Sequence, residues 1–246
     1  MAKGSITAVA ALAVIGLAQG FSKPMEPSKA VPSAATVQEG RSIHERLVDH
    51  SLTVIAADKD NKRSIGSGVL FSNNGILYCL TAAHVVGDGK GIYIVCHQNI
   101  ETEATTAWRG FVCVMDAESD WAIMSLVRAS EGVTGICPAQ FSAAPIRIGQ
   151  RVIAVGSPVG EHNTVTEGTV ANNRRVVEWT DDRHFVITCD GGAGSSGGGV
   201  FDAETGRCIG IVVRRSVSTG MLYALPIDTI LKDIQALGQP QLLPPT

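Results

Sequence analysis

Apolar residues in this chain come in short runs broken by turn residues, and this limits the fold more than any other feature. Runs at 52–56, 66–71, 76–80, 91–95, 110–114 and 121–126 are separated by segments such as Asn73-Asn74-Gly75. After a polar, turn-rich stretch near 128–148 the texture repeats, at 151–155, 164–166, 168–170, 176–179, 184–188, 208–213 and 221–225. Runs this short, spaced by roughly 8 to 15 residues, suit strands and are too brief for amphipathic helices. Two similar halves of this kind are expected to form all-β barrels or sandwiches. Two helices are expected at the margins. One covers 43–48 with Ser42 as its N-cap. The other covers 227–237, with Ile227, Ile230, Leu231 and Ile234 on one face and Asp228 as its N-cap.

The segment 189–199 stands out within the second half, with six glycines in eleven residues. Glycine accepts positive φ and allows another group to approach the main chain closely. The N–H groups of such a loop can converge on one point and hold an anion. Residues 192–197 also match G-x-G-x-x-G after an apolar run, as a dinucleotide-binding turn would. That motif must open a helix, whereas here the strand-like Val200-Phe201 and a turn follow. No helix N-terminus is therefore expected to meet a pyrophosphate, and cofactor binding is set aside.

Serine within such a loop points to a nucleophile whose own backbone stabilises the oxyanion it generates. A serine hydroxyl needs a base within hydrogen-bond reach, and the base needs an orienting group. His84 closes an apolar run behind Ala82 and Ala83, and Asp120 opens another ahead of Trp121. Asp116 rivals Asp120, and Ser195 rivals Ser196. His44, His50, His97, His162 and His184 have no motif around them and are expected at the surface or at strand edges.

Three blocks, Thr81-Ala82-Ala83-His84, Asp120-Trp121-Ala122-Ile123 and Gly194-Ser195-Ser196-Gly197-Gly198, resemble the signatures of chymotrypsin-fold serine proteases. Two more, Gly156-Ser157-Pro158-Val159-Gly160 and Tyr223-Ala224-Leu225-Pro226, resemble the Deg/HtrA-type branch. The resemblance runs over roughly 48–236. It implies two six-stranded antiparallel barrels (about 48–135 and 145–226) with a short C-terminal helix and a cleft between the barrels. It also implies a serine endopeptidase with His84, Asp120 and Ser196 as its triad, and the N–H groups of Gly194 and Ser196 as its oxyanion hole. Gly-x-Ser-Gly-Gly fits only Ser196, since Ser195 is followed by another serine.

The specificity pocket is expected to involve Asp190 and Met221, with Val213, Arg214 and Arg215 on the strand that pairs with substrate. Asp190 lies six residues before Ser196, where trypsin-like members bind Lys or Arg. By the same alignment, Met221 falls where trypsin has glycine and would fill the pocket. Cleavage after small or medium aliphatic residues is therefore expected. Val213 replaces a hydroxyl that supports the aspartate in many relatives. The contrasting reading is a catalytically weak protease fold used for binding or structure. Self-cleavage in the 21–42 segment is a third.

The remaining features set the context. Charge is sparse, at −3 net, with no basic run, so nucleic acid is not expected as a partner. The six cysteines include no C-x-x-C pair, and no metal site or cofactor is expected. Most sit in apolar runs, as buried thiols do. Cys96 and Cys113 are the first pair to test for a disulfide. Residues 6–18 have the length of a signal-peptide core behind Lys3, with Ala18-Gln19-Gly20 as a cleavage site. Export to the periplasm or medium is the first expectation for residues 1–20, and retention as a membrane anchor through 6–18 the second. Residues 21–42, with three prolines and no period, are expected to be a disordered linker. The protease domain is expected over 43–238 and a tail over 239–246. That leaves too few residues for the peptide-binding domain Deg-type proteins often carry. The partner is expected to be a protein or peptide substrate, and the oligomeric state is left open.

Overall fold

The structure, a computed structural model, describes residues 40–57, 62–128, 136–177 and 180–242. Residues 1–39 lie outside the described residues, and with them the expected leader or anchor and most of the linker.

A helix, α1 (Ile43–Val48), comes first. The Ser42 hydroxyl accepts from the Glu45 N–H while the Glu45 carboxylate accepts from the Ser42 N–H, a reciprocal capping box. Arg41 donates to the Asp49 carboxylate at 2.7 Å, so order begins before the expected end of the linker.

Six strands follow: β1 (Ser51–Ala57), β2 (Arg63–Asn73), β3 (Ile76–Thr81), β4 (Ile92–Gln98), β5 (Thr105–Asp116) and β6 (Trp121–Arg128). A one-turn helix, α2 (Ala83–Val86), lies between β3 and β4. The strands close into a barrel in the order β1-β2-β3-β6-β5-β4, each pair antiparallel. The β2–β3 link is the two-residue Asn74-Gly75, with φ +49° and +78°. Positive φ at both positions matches the twist of a tight hairpin, which is why Asn-Gly is the residue pair there.

The second barrel comprises β7 (Arg151–Gly156), β8 (Thr164–Val177), β9 (Thr180–Ile187), β10 (Gly199–Asp202), β11 (Cys208–Arg215) and β12 (Leu222–Pro226). It closes as β10-β11-β12-β9-β8-β7, which is the order of the first barrel displaced by six strands. The texture repeat seen in the sequence is therefore a repeat of topology, and closure leaves no open sheet edge. Runs expected as separate strands at 164–166, 168–170 and 176 onward are one long strand, β8, with register shifts at Val170/Asn172 and Asn172/Arg175.

A final helix, α3 (Ile227–Ala236), follows β12 directly. Its N-cap is Pro226 rather than Asp228, which sits in the first turn. The helix follows the second barrel in sequence, yet Ile227, Ile230 and Ile234 join the hydrophobic cluster that fills the first barrel. The Trp121 indole N–H donates to Asp233 at 2.9 Å, tying α3 to the start of β6. That cluster also contains Ile153, Val155, Phe201 and Leu225, so one core runs through the interface between the barrels. A second cluster, including Phe185, Ile187, Val200, Val212 and Leu222, fills the second barrel. Burial at this scale, roughly 25 cal/mol per Å² of apolar surface, is what makes the docked arrangement stable.

All six cysteines are free thiols, and Cys96 faces Ala107 rather than Cys113. No group of His, Cys, Asp and Glu among the described residues could hold a metal ion. Among the same residues, no helix is long and apolar enough to cross a membrane.

Candidate active site

A cleft of about 610 Å³ opens between the barrels. Residues from both line it, including His84, Asp120, Gly192, Ser195, Ser196, Val213, Arg214 and Arg215.

His84 enters the cleft on α2. Ala82 and Ala83 are buried, and small side chains there let the turn lie against the glycine loop. A Cβ at Gly197 would lie 3.0 Å from the Ala82 nitrogen. Tyr93 fixes the end of α2, its hydroxyl donating to the Val86 carbonyl at 2.7 Å.

Asp120 ends the turn before β6 with φ +62°, a left-handed conformation that Asp tolerates better than most residues. This aims its carboxylate back at His84. One oxygen lies 2.8 Å from His84 Nδ1, and the other accepts the His84 backbone N–H at 2.9 Å. The ring and the main chain of one residue are thus held by one carboxylate. The rival Asp116 accepts from the N–H groups of Glu118 and Ser119 at 2.8 and 3.0 Å. It shapes the turn and does not face the imidazole.

The two serines of the loop differ in the same way. Ser195 is buried, and its hydroxyl accepts from the Gly192 N–H at 3.0 Å. The Ser196 hydroxyl has no hydrogen-bond partner among the described residues and stands in the cleft with His84. Hydrogen bonds between a nucleophile and its base often tighten only when substrate is bound.

The loop backbone is fixed at several points. The Ala193 carbonyl accepts from the Val159 N–H at 2.6 Å. In a planar trans peptide the N–H points opposite the C=O, so the Gly194 N–H is turned away from Val159. Neither the Gly194 nor the Ser196 N–H has an acceptor among the described residues. Gly194 has φ +97°, and a Cβ on it would lie 2.7 Å from the Ser157 oxygen. No other residue fits at this position. Val159 holds a strained φ of +55° with its side chain 81% exposed, so the turn around it is set by its backbone bonds.

Beside Ser195 lies a pocket of about 20 Å³, lined by Val155, Thr166, Asp190, Val212 and Leu222 among others. The expected pocket residue Met221 does not line it. Leu222 does, and its two methyl groups would meet a Cβ placed on Gly191 at 3.0 Å. The one-residue difference arises because β12 pairs Leu222 with Ile187 and with Arg215, which turns Leu222 into the second barrel. Asp190 borders the pocket, its carbonyl accepting from the Thr166 hydroxyl at 2.9 Å. Val213 sits at a register shift between β11 and β12, while Arg214 and Arg215 are exposed along the cleft.

The remaining histidines are not all peripheral. His97 is buried on β4 and its Nε2 has no hydrogen-bond partner among the described residues. Burial, with His50 and His162 nearby, lowers its pKa from 6.5 to about 4. His184 is also buried, whereas His44 is exposed and lies 3.2 Å from Glu167. His162 Nδ1 lies 2.6 Å from the Thr53 hydroxyl, which is itself 2.5 Å from the Ser157 hydroxyl.

Comparison with known proteins follows the same lines. The family model described as trypsin-like peptidase domain matches residues 66–211. A "Serine protease HtrA-like" protein of Staphylococcus aureus (strain MRSA252) is 30% identical over 236 residues, covering 89% of this chain and 28% of its own length. Its counterpart in strain USA300 is 30% identical over 241 residues, covering 90% and 29%. The chain thus spans less than a third of these relatives. Among solved structures, Deg5 superposes with a TM-score of 0.61 at 21% identity, covering 77% of this chain and 89% of its own. The HtrA-type protease AlgW, solved with a tripeptide, gives 0.65 at 24%, covering 80% and 62%. These two likenesses are of fold.

Proposed function

This chain belongs to the trypsin-like peptidase family, and from that membership we propose that it is a serine endopeptidase with His84, Asp120 and Ser196 as its triad. The observation that carries the reading is the Asp120 carboxylate. It holds both the Nδ1 and the backbone N–H of His84 at the rim of the cleft where the Ser196 hydroxyl stands without a partner among the described residues.

In the proposed reaction, Ser196 Oγ attacks the carbonyl carbon of the scissile peptide and its proton passes to His84 Nε2. Asp120 keeps Nδ1 protonated and stabilises the imidazolium. The oxyanion forms against the N–H groups of Gly194 and Ser196, each such donor being worth roughly 10²–10³ in turnover. The C–N bond breaks, the amine leaves with the proton from His84, and water hydrolyses the acyl-enzyme by the same steps. The inward hydrogen bond of Ser195 supports Ser196 as nucleophile.

Cleavage after small or medium aliphatic residues is part of the proposal, and the narrowness of the pocket beside Val212 and Leu222, which leaves no room for a long side chain, supports it. Arg214 and Arg215, exposed along β11, would line the substrate backbone as it adds to that strand. Substrates are then proteins or peptides. Export or membrane association, with residues 1–20 as leader or anchor, is part of the same proposal.

Labelling by a fluorophosphonate probe tests the reading. Label is expected on the wild type and on Ser195→Ala, and none on Ser196→Ala. No label on folded wild type would instead favour a binding protein built on this fold. A strict preference for Lys or Arg in a peptide library would refute the aliphatic assignment and give Asp190 the pocket.

A further inference from the structure

Ser67 lies on β2 of the first barrel, fully buried, opposite the glycine loop of the second. It makes four hydrogen bonds beyond its strand pairing with β1. Its N–H donates to the Ser196 carbonyl at 2.7 Å. Its hydroxyl donates to the Gly194 carbonyl at 2.6 Å. The same hydroxyl accepts the Ser157 N–H at 2.8 Å. Its carbonyl accepts from the Thr81 hydroxyl at 2.6 Å, at the end of the strand that leads to His84. The directions are unambiguous, because a carbonyl can only accept and a backbone N–H can only donate.

These partners share one purpose. Gly194 and Ser196 each carry an N–H group without an acceptor among the described residues, and Ser67 holds the carbonyl of each. Ser157 begins the turn whose Val159 N–H fixes the Ala193 carbonyl, and so the Gly194 N–H. One side chain and one main-chain N–H therefore fix the peptide planes that follow Gly194 and Ser196, bracketing their N–H groups, while the bond to Ser157 holds the turn that fixes the peptide before Gly194. The neighbouring backbone comes in close to allow this. A Cβ on Gly156 would lie 2.8 Å from Ser67 Oγ, and one on Gly197 would collide with the Ser67 carbonyl.

We propose that Ser67 is a positioning residue that aims the Gly194 and Ser196 N–H groups at one point, making the oxyanion site depend on the docking of the first barrel against the second. This rests on the serine endopeptidase reading and deepens it. Ser67 touches no substrate. It acts through the loop, and a displacement of about an ångström there is enough to cost up to 10²-fold in rate.

The experiment compares wild type, Ser67→Ala and Ser67→Cys on the p-nitrophenyl ester of N-acetyl-alanine. Inhibition by a peptidyl trifluoromethyl ketone, whose adduct places an oxyanion in the same site, is measured alongside. Urea unfolding monitors the fold. In folded Ser67→Ala, kcat is expected to fall roughly 10- to 100-fold with KM within a factor of about 3, and ketone affinity to fall in parallel. Ser67→Cys, close in size and retaining a weak donor, is expected to recover part of both. A structural defect alone would move KM and the unfolding midpoint without singling out the ketone. Wild-type kcat and ketone affinity in either folded variant overturn the proposal, as does failure of both variants to fold. A wild type that takes fluorophosphonate while the variants match it sinks this inference alone, whereas a wild type inert to both reagents sinks the endopeptidase reading and this with it.

Discussion

Asp120 holds its left-handed φ of +62° only because the turn before it and the two bonds to His84 over-determine it. Asn has the same shape and tolerates the same backbone, but it accepts through one oxygen and carries no charge. Asp120→Asn is therefore expected to fold normally and to lose about 10³–10⁴ in kcat, measured on the ester substrate beside unfolding curves. Gly197→Ala should fail differently. With φ +84° and Ser67, Thr81 and Ala82 around its Cβ position, it should lower stability by at least about 2 kcal/mol in urea titration. Leu222, one position beyond the expected Met221, lines the small pocket beside Ser195. Leu222→Ala should cost about 2–4 kcal/mol and shift a peptide library towards longer aliphatic residues before the scissile bond. An unchanged library profile would show that another group closes the pocket.

Among the elements, α1 could be read from Ser42 because capping is local chemistry, and the structure bears out its span of 43–48 and adds the reciprocal bond with Glu45. Helix α3 was legible in its period, but not in its destination. Its apolar face crosses to the first barrel, and Trp121 donates to Asp233 across 112 positions of sequence. Asp233→Ala leaves a buried indole N–H without that acceptor and should lower stability by about 1–3 kcal/mol in thermal or urea unfolding. An unchanged midpoint would mean that α3 is held by its apolar face alone. The register shift at Val213 on β11 also escaped the sequence, since a bulge follows from pairing with β12.

At the scale of the molecule, buried histidines make stability depend on acidity. Folding lowers the pKa of His97 from 6.5 to about 4, and burial lowers those of His50 and His162 as well. Between those pH values the unfolded chain binds more protons than the folded one. The histidine contribution to stability is thus full above about pH 6.5, falls as the pH drops towards 4, and levels off below. For His97 alone the loss is on the order of 3 kcal/mol. Urea midpoints from pH 7.5 to 4 should follow this course, and His97→Gln should flatten it. Equal slopes in both proteins would place the acid sensitivity elsewhere.

By itself the sequence determined what depends on neighbours along the chain. Strand-length apolar runs set an all-β, two-part fold. Glycines at 194 and 197 marked where the backbone must be bare, and the blocks around His84, Asp120 and Ser196 carried the resemblance to the family. The tertiary structure alone decided that Leu222, through its pairing with Ile187 and Arg215, turns into the second barrel beside Ser195. It also decided that Ser67, between Gly66 and Gly68, joins the barrels beneath the glycine loop. The reason is that these roles are hydrogen bonds and pairings between segments up to 129 positions apart, such as Ser67 with Ser196. Local propensity and periodicity carry no information about contacts that exist only once both barrels have closed and docked.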